Sequence, residues 1–240
     1  MMNEISPRMM ARLTGISYLV LIGGGLIAQG FIAERLIDLK NAAATSSAIL
    51  ANETLYRTAF TVYLVEMTAQ IVLSVLFYYL LKPVSRSGAM VSTVLLLTGS
   101  VIKTMTRLFF ISPLYVLHGG SVFAGFSPEQ LNSLALMLLR INNEGAAIAL
   151  AFFGPATLIQ GWLIFKSTFL PKWMGVIAIA GGIAWTTFYW PPLGKSLFNV
   201  SATIALAGSL ATIAWLIIVG VNEERWRERA AASAASSIWR

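Results

Sequence analysis

Six stretches of this chain are apolar over about the length an α-helix needs to cross a lipid bilayer, roughly 20 residues at about 1.5 Å each. They cover residues 13–33, 58–81, 88–111, 145–165, 174–190 and 201–221. No water in the hydrocarbon core satisfies backbone N–H and C=O groups, so such segments must be helical. The pattern predicts an all-α fold: a polytopic integral membrane helical bundle of six transmembrane helices. It forms one domain over residues 1–221, followed by a flexible cytoplasmic tail at 222–240 that is charged and then rich in alanine and serine. The fifth stretch is the shortest, and Trp173 and Trp190 bracket it at levels that suit the two interfaces. Only 11% of the residues are charged, against about 25% in a soluble domain. That is too little charge for a water-facing surface of ordinary size.

The charges that remain orient the bundle. Arg8 and Arg12 precede the first stretch, and Lys82 and Arg86 join the second to the third. Lys166 and Lys172 join the fourth to the fifth, and Arg225, Arg227 and Arg229 follow the sixth. With six crossings all of these share one side. The other side carries Arg35, Lys40, Arg57 and Lys195, offset by Glu34, Asp38 and Glu53. The positive-inside rule then places both termini in the cytoplasm. Ala28-Gln29-Gly30 has the look of a signal-cleavage site, but the run before it has spanning length and is read as a retained first helix.

Local signals mark the helix ends. Pro83 stops the second span. Ser127-Pro128-Glu129-Gln130 reads as an N-cap, a proline at the first helical position and a capping-box glutamine. Short extra-cytoplasmic helices are expected before spans two and four. The first is an amphipathic helix near residues 42–51 lying on the outer surface, after which Asn52 caps span two.

Ionisable residues inside a span cost at least ~2.5–3.5 kcal/mol each at the centre, and here their depths coincide. Tyr63, Glu66, Gln70 and Ser74 recur at helical spacing on one face of span two. Ser100, Lys103 and Arg107 do so on span three, and Arg140, Asn143 and Glu144 share a face before span four. Glu66 stands roughly 24 Å above Lys82, and Lys103 roughly 22 Å above Gly88, by helical rise. The two therefore meet in the outer half of the bilayer. The expected cluster is Glu66, Lys103, Arg107, Arg140 and Glu144, with Tyr63, Gln70 and Asn143 at its margin. It reads as an outer-facing pocket for a polar or anionic group, or as an internal ion-pair network that fixes helix register. Glu53 and Arg57, four apart, read as an interfacial salt bridge or as a lid over the pocket.

Several chemistries are excluded. The chain has no cysteine, which removes disulfides, iron–sulfur clusters and thiolate sites. His118 is the only histidine and lies beside Gly119-Gly120, too few imidazoles for a bis-histidine haem or an ordinary zinc site. No catalytic residue, metal ligand or cofactor is assigned. The net charge of +7 sits mostly at the ends of apolar segments, so nucleic acid is not expected as a partner. Membrane lipids, a small-molecule ligand, and a homo-oligomeric or other membrane partner are.

Motifs along most of the chain resemble a known family. They include Ala42-Ala43-Ala44-Thr45, then Ile49-Leu50-Ala51-Asn52-Glu53-Thr54-Leu55-Tyr56-Arg57, and Tyr79-Leu80-Leu81-Lys82-Pro83-Val84. Further on come Ala151-Phe152-Phe153-Gly154, Gly161-Trp162-Leu163-Ile164, Phe169-Leu170-Pro171 and Gly175-Val176. In this order and spacing they resemble the bacterial multi-pass family known as domain of unknown function 4386, over roughly residues 8–220. The resemblance implies a multi-span protein of the bacterial cytoplasmic membrane and implies no substrate. Members often carry a histidine just before span four, where this chain has Asn143-Glu144-Gly145, so no shared histidine chemistry is carried over. The reading is a protein that binds or transports a small polar or anionic molecule. A scaffold subunit without its own ligand is the alternative, and a membrane enzyme acting on lipid ranks last.

Overall fold

The computed structural model describes residues 5–238 and, among them, helices and turns with no strand. Helix α1 (Pro7–Gly25) runs into a π-helical segment, Leu26–Ala33, and a single turn, α2 (Glu34–Leu36). Then come α3 (Ala42–Ala51), α4 (Glu53–Leu81), α5 (Arg86–Leu117) and α6 (Pro128–Lys166). Helix α7 (Lys172–Thr186) is followed by short α8 (Pro191–Ser196), then α9 (Phe198–Ile218) and α10 (Glu223–Ile238). Five helical runs are long and apolar enough to cross a membrane: Pro7–Leu36, α4, α5, α6 and α9. Helix α7, where the fifth span was expected, has 15 residues and falls short of that length.

The helix starts follow their sequence signals. Ser6, Asn41 and Ser85 each accept a hydrogen bond from the backbone N–H three residues on. Ser127 and Gln130 form the reciprocal capping box, at 3.3 and 2.8 Å. One cap differs from expectation: the Asn52 side chain donates back to the Ala48 carbonyl, so it finishes α3 and does not cap α4. Helix α3 forms, but it is no free surface helix. Ile49 is fully buried against Tyr56 and Phe110. Before span four the only separate helical piece among the described residues is a three-residue 3-10 turn, Ser121–Phe123. The capping box at Ser127 opens a single 39-residue helix that continues through Pro155.

Successive long helices pack antiparallel. Tyr18 meets Phe77, and Gln29 meets Tyr63, between α1, its π segment and α4. Helices α4 and α5 meet at Tyr56 with Phe110 and at Ser74 with Thr93. Thr106 faces Gly145 and Ser92 bonds Ala156 between α5 and α6. Helix α7 runs back along α6 at backbone contact: a Cβ on Gly161 would stand 2.6 Å from the Ile179 nitrogen, and one on Gly182 2.5 Å from the Leu158 nitrogen. Gly161→Ala is therefore expected to destabilise the fold by ~1–3 kcal/mol, since overpacking a tight contact forces backbone shifts. Gly23, whose added Cβ meets nothing within 4 Å, should gain stability on the same change through helix propensity. Unfolding of both variants in graded denaturing detergent checks the opposite signs.

The start of α1 and the start of α10 meet. The backbone N–H of Arg8 donates to Glu223 at 3.2 Å, and the Trp226 indole donates to the Leu80 carbonyl at 2.9 Å. The expected flexible tail is helical from Glu223 to Ile238, and Trp226 packs against the core that includes Met10 and Leu80. Its alanines, the strongest helix formers, carried that signal. Residues 1–4 and the final Trp239 and Arg240 lie outside the described residues.

Two apolar cores result. One, around Met10, Leu73, Leu80, Leu163 and Leu216, closes the end where the start of α1 meets the start of α10. The other, around Ile49, Tyr56, Phe110 and Leu139, sits under α3 at the opposite end. Helices α4, α5 and α6 have 29, 32 and 39 residues, or about 44, 48 and 58 Å of rise. That exceeds the ~30 Å of a hydrocarbon core, so all three extend into a cap at the α3 end. The polar cluster lies between the two cores.

Candidate functional site

The α4 face read from spacing is buried as a unit: Tyr63, Glu66, Gln70 and Ser74 are each under 10% exposed. Glu66 and Lys103 meet, with Nζ 2.6 Å from Oε1, as equal depth on adjacent antiparallel helices requires. Small residues on α1 allow this approach. A Cβ on Gly24 would lie 3.4 Å from the Glu66 Cβ, and one on Gly25 3.4 Å from Glu66 Oε1. The second carboxylate oxygen, Oε2, is buried without a hydrogen-bond partner.

Arg107 does not join a carboxylate network. Its guanidinium stacks 3.5 Å above the Tyr63 ring, and Nη1 donates to Asn142 Oδ1 at 3.1 Å. The side chain is buried, Nε has no hydrogen-bond partner, and among the described residues no carboxylate lies within ion-pair distance. Tyr63, held edge-on by Phe110, donates its hydroxyl to Gln29 Oε1 at 2.6 Å. Gln29 belongs to the π-helical segment, a conformation that recurs at functional sites.

Other members of the expected cluster go elsewhere. Arg140 is exposed and donates to the Leu39 carbonyl at 2.9 Å, tying α6 to the loop before α3. It lies four residues, about one helical turn, before Glu144 on α6 and lines neither cavity. Glu144 is exposed and pairs with Lys195 at 2.5 Å, not with Arg107 or Arg140. Gln70 donates to Ser74 Oγ at 3.3 Å, one turn deeper than Glu66. Asn143 accepts from the Asn142 amide at 3.2 Å. Glu53 binds Arg57 at 2.7 Å and His118 at 2.9 Å, about 20 Å along α4 from Glu66. Neither Glu53 nor Arg57 lines the cavities, so the structure does not place them as a lid. Glu53→Gln is accordingly expected to leave the melting temperature unchanged, as for other exposed pairs.

Two adjoining cavities occupy the space between the cores. The outer one, about 520 Å³, is lined by Gln29, Tyr63, Glu66, Lys103, Arg107, Asn143 and Lys195, with Trp185, Phe188 and Phe198 as an aromatic wall. The deeper one, about 430 Å³, extends below it between α1, α4, α6, α7 and α9. Both have the size of small-molecule sites. The outer lining holds three cations and one carboxylate. Counting Glu144 on Lys195 leaves it positive.

Sequence reading missed Gln29, Asn142 and Lys195. The first is a lone amide in an apolar stretch and was legible as such. Asn142 stands beside residues already singled out, but its burial depends on packing against α5. Lys195 reaches Glu144 from α8, which follows α7 after the turn Thr187–Tyr189, a meeting that sequence position alone does not give.

Residues 13–220 match the family described as Domain of unknown function (DUF4386). The chain belongs to that family. By the length and composition of its helices, this DUF4386 protein is a multi-pass membrane protein. No curated protein and no solved structure matches it.

Proposed function

We propose that this protein binds a small anionic molecule in the outer cavity, with Arg107 as its principal contact. The observation that carries the reading is the state of Arg107: a buried guanidinium held by a neutral ring and a neutral amide, with no carboxylate at ion-pair distance among the described residues, the nearby Glu66 being paired with Lys103. A buried charge without an ion-pair partner of its own costs several kcal/mol, and an anion from outside supplies that partner. Lys103 and Lys195 reinforce the positive field, and Gln29, Asn143 and the aromatic wall give shape and hydrogen bonding.

The same reading sets the protein in a bacterial cytoplasmic membrane with six crossings and both ends in the cytoplasm. Three features support this. The start of α1 meets the residue that follows α9 and opens α10, as an even number of traverses between them requires. Helix α7, extended by the turn Thr187–Tyr189 and α8, supplies the sixth by running antiparallel to α6. The basic residues gather at the end where the start of α1 meets the start of α10, which is the cytoplasmic end by the positive-inside rule. The cavity then faces outward, with Glu66 and Lys103 just inside the hydrocarbon boundary.

A thermal-shift series with phosphate, sulfate and acetate tests the anion reading. A ligand that binds only the folded state raises its stability by mass action. At least one of these anions should raise the melting temperature of the wild type and leave Arg107→Gln unmoved. Equal shifts in both proteins, or none in the wild type, contradict the reading.

A further inference from the structure

We infer that the anion is the head of a single-chain amphiphile, whose hydrocarbon chain passes the Glu66–Lys103 pair and lies in the deep cavity. The inference rests on the proposed anion site and adds the chain to it.

The two cavities are continuous through shared walls: Gly25, Glu66, Lys103, Leu150, Trp185 and Phe198 line both. Their characters differ. Below Glu66 and Lys103 the walls are mainly aliphatic and aromatic, among them Leu21, Leu73, Phe77, Leu96 and Phe153. The polar side chains there are largely satisfied within the protein. Tyr18 and Ser209 bond each other at 2.6 Å, and Gln70 bonds Ser74. A roomy cavity with apolar walls favours hydrocarbon over water.

Its dimensions suit one chain. Along α6 the deep cavity runs from Leu150 to Ile164, about 21 Å of helical rise. Its volume of about 430 Å³ corresponds to on the order of a dozen water-sized groups. That accommodates one chain of about that many carbons and not two. Gly181 shows that α7 leaves this space open. It is buried, yet an added Cβ would meet nothing within 4 Å, and it lines the deep cavity. Leu26 and Phe198 line the cavity and are also exposed, at 43% and 45%. Leu26 comes from the π segment and Phe198 from the first turn of α9, and their exposure gives a chain a lateral way in from the membrane.

The order of charges fits the same ligand. Arg107, Lys103 and Lys195 surround the outer cavity, while the deep one has no cation beyond Lys103 at its mouth. An anionic head above and a hydrocarbon chain below satisfy both parts at once.

The test measures equilibrium binding to the full chain in phosphatidylcholine nanodiscs, using inorganic phosphate, dodecyl phosphate, dodecanol and dilauroyl phosphatidate. Dodecyl phosphate should bind roughly tenfold or more tighter than either inorganic phosphate or dodecanol. Gly181→Phe, which fills the deep cavity, should weaken dodecyl phosphate by roughly tenfold and leave inorganic phosphate unchanged. Ala205→Leu, from the α9 wall, should do the same should the first variant fail to fold. Retained phosphate binding reports that the outer cavity is intact. Equal affinity for phosphate and dodecyl phosphate overturns the chain while keeping the anion site. Tighter binding of dilauroyl phosphatidate than of dodecyl phosphate overturns the single chain in favour of a bilayer lipid. No binding of any anion overturns the anion site itself.

Discussion

Arg107→Met is expected to weaken anion binding by roughly a hundredfold or more while changing ligand-free stability by no more than about 1 kcal/mol. The first part follows from losing a desolvated charge-assisted contact, worth ~2–5 kcal/mol when one partner of a buried charge pair is removed. The second follows from opposing terms of similar size. The substitution removes the stacking on Tyr63 and the bond to Asn142, worth about 2 and ~1.5–3 kcal/mol. It also removes the several kcal/mol of desolvation carried by a buried cation. An arginine retained to hold the helices together would behave otherwise. Its loss would cost ~3–5 kcal/mol and leave ligand binding as a secondary casualty. Titration calorimetry together with thermal unfolding of the ligand-free protein separates the two.

Lys103→Met should be the most destabilising single change in the site, at about 3 kcal/mol. It leaves Glu66, whose side chain is 5% exposed, without its cation. The reverse change, Glu66→Gln, should cost less. Lys103 is 21% exposed at the wall between the cavities and keeps some access to water. Combining the two removes both charges, and the double variant should recover most of what Lys103→Met alone loses. A double variant as unstable as the sum of the two singles would show that the pair is not coupled.

Much of this architecture was legible before the fold was known. Spanning segments announce themselves because the bilayer imposes both length and apolarity, and five of the six predicted stretches lie in helices of spanning length. The Glu66–Lys103 contact was legible because helical rise converts sequence position directly into depth. Depth alone does not give rotation. Arg140 and Glu144 sit at plausible heights, yet α6 turns them outward, toward Leu39 and Lys195. Asn142, between them in sequence, turns inward to Arg107 instead. The π-helical segment was likewise beyond periodicity, since it changes which residues of span one share a face. That change places Gln29 against Tyr63. The short α7 failed the length rule for a different reason. It closes on α6 through glycines at backbone contact, and its 15 residues end at Thr186, where a turn and α8 follow.

The feature on which the account turns is a buried cation with no carboxylate at ion-pair distance among the described residues, opening on a cavity with a positive lining. Native mass spectrometry of the protein released directly from its own membrane tests this most directly. The account predicts that the wild type retains an anionic adduct of small-molecule mass and that Arg107→Met, equally folded, has lost it. The same adducts on both proteins, or no adduct on the wild type, would contradict it.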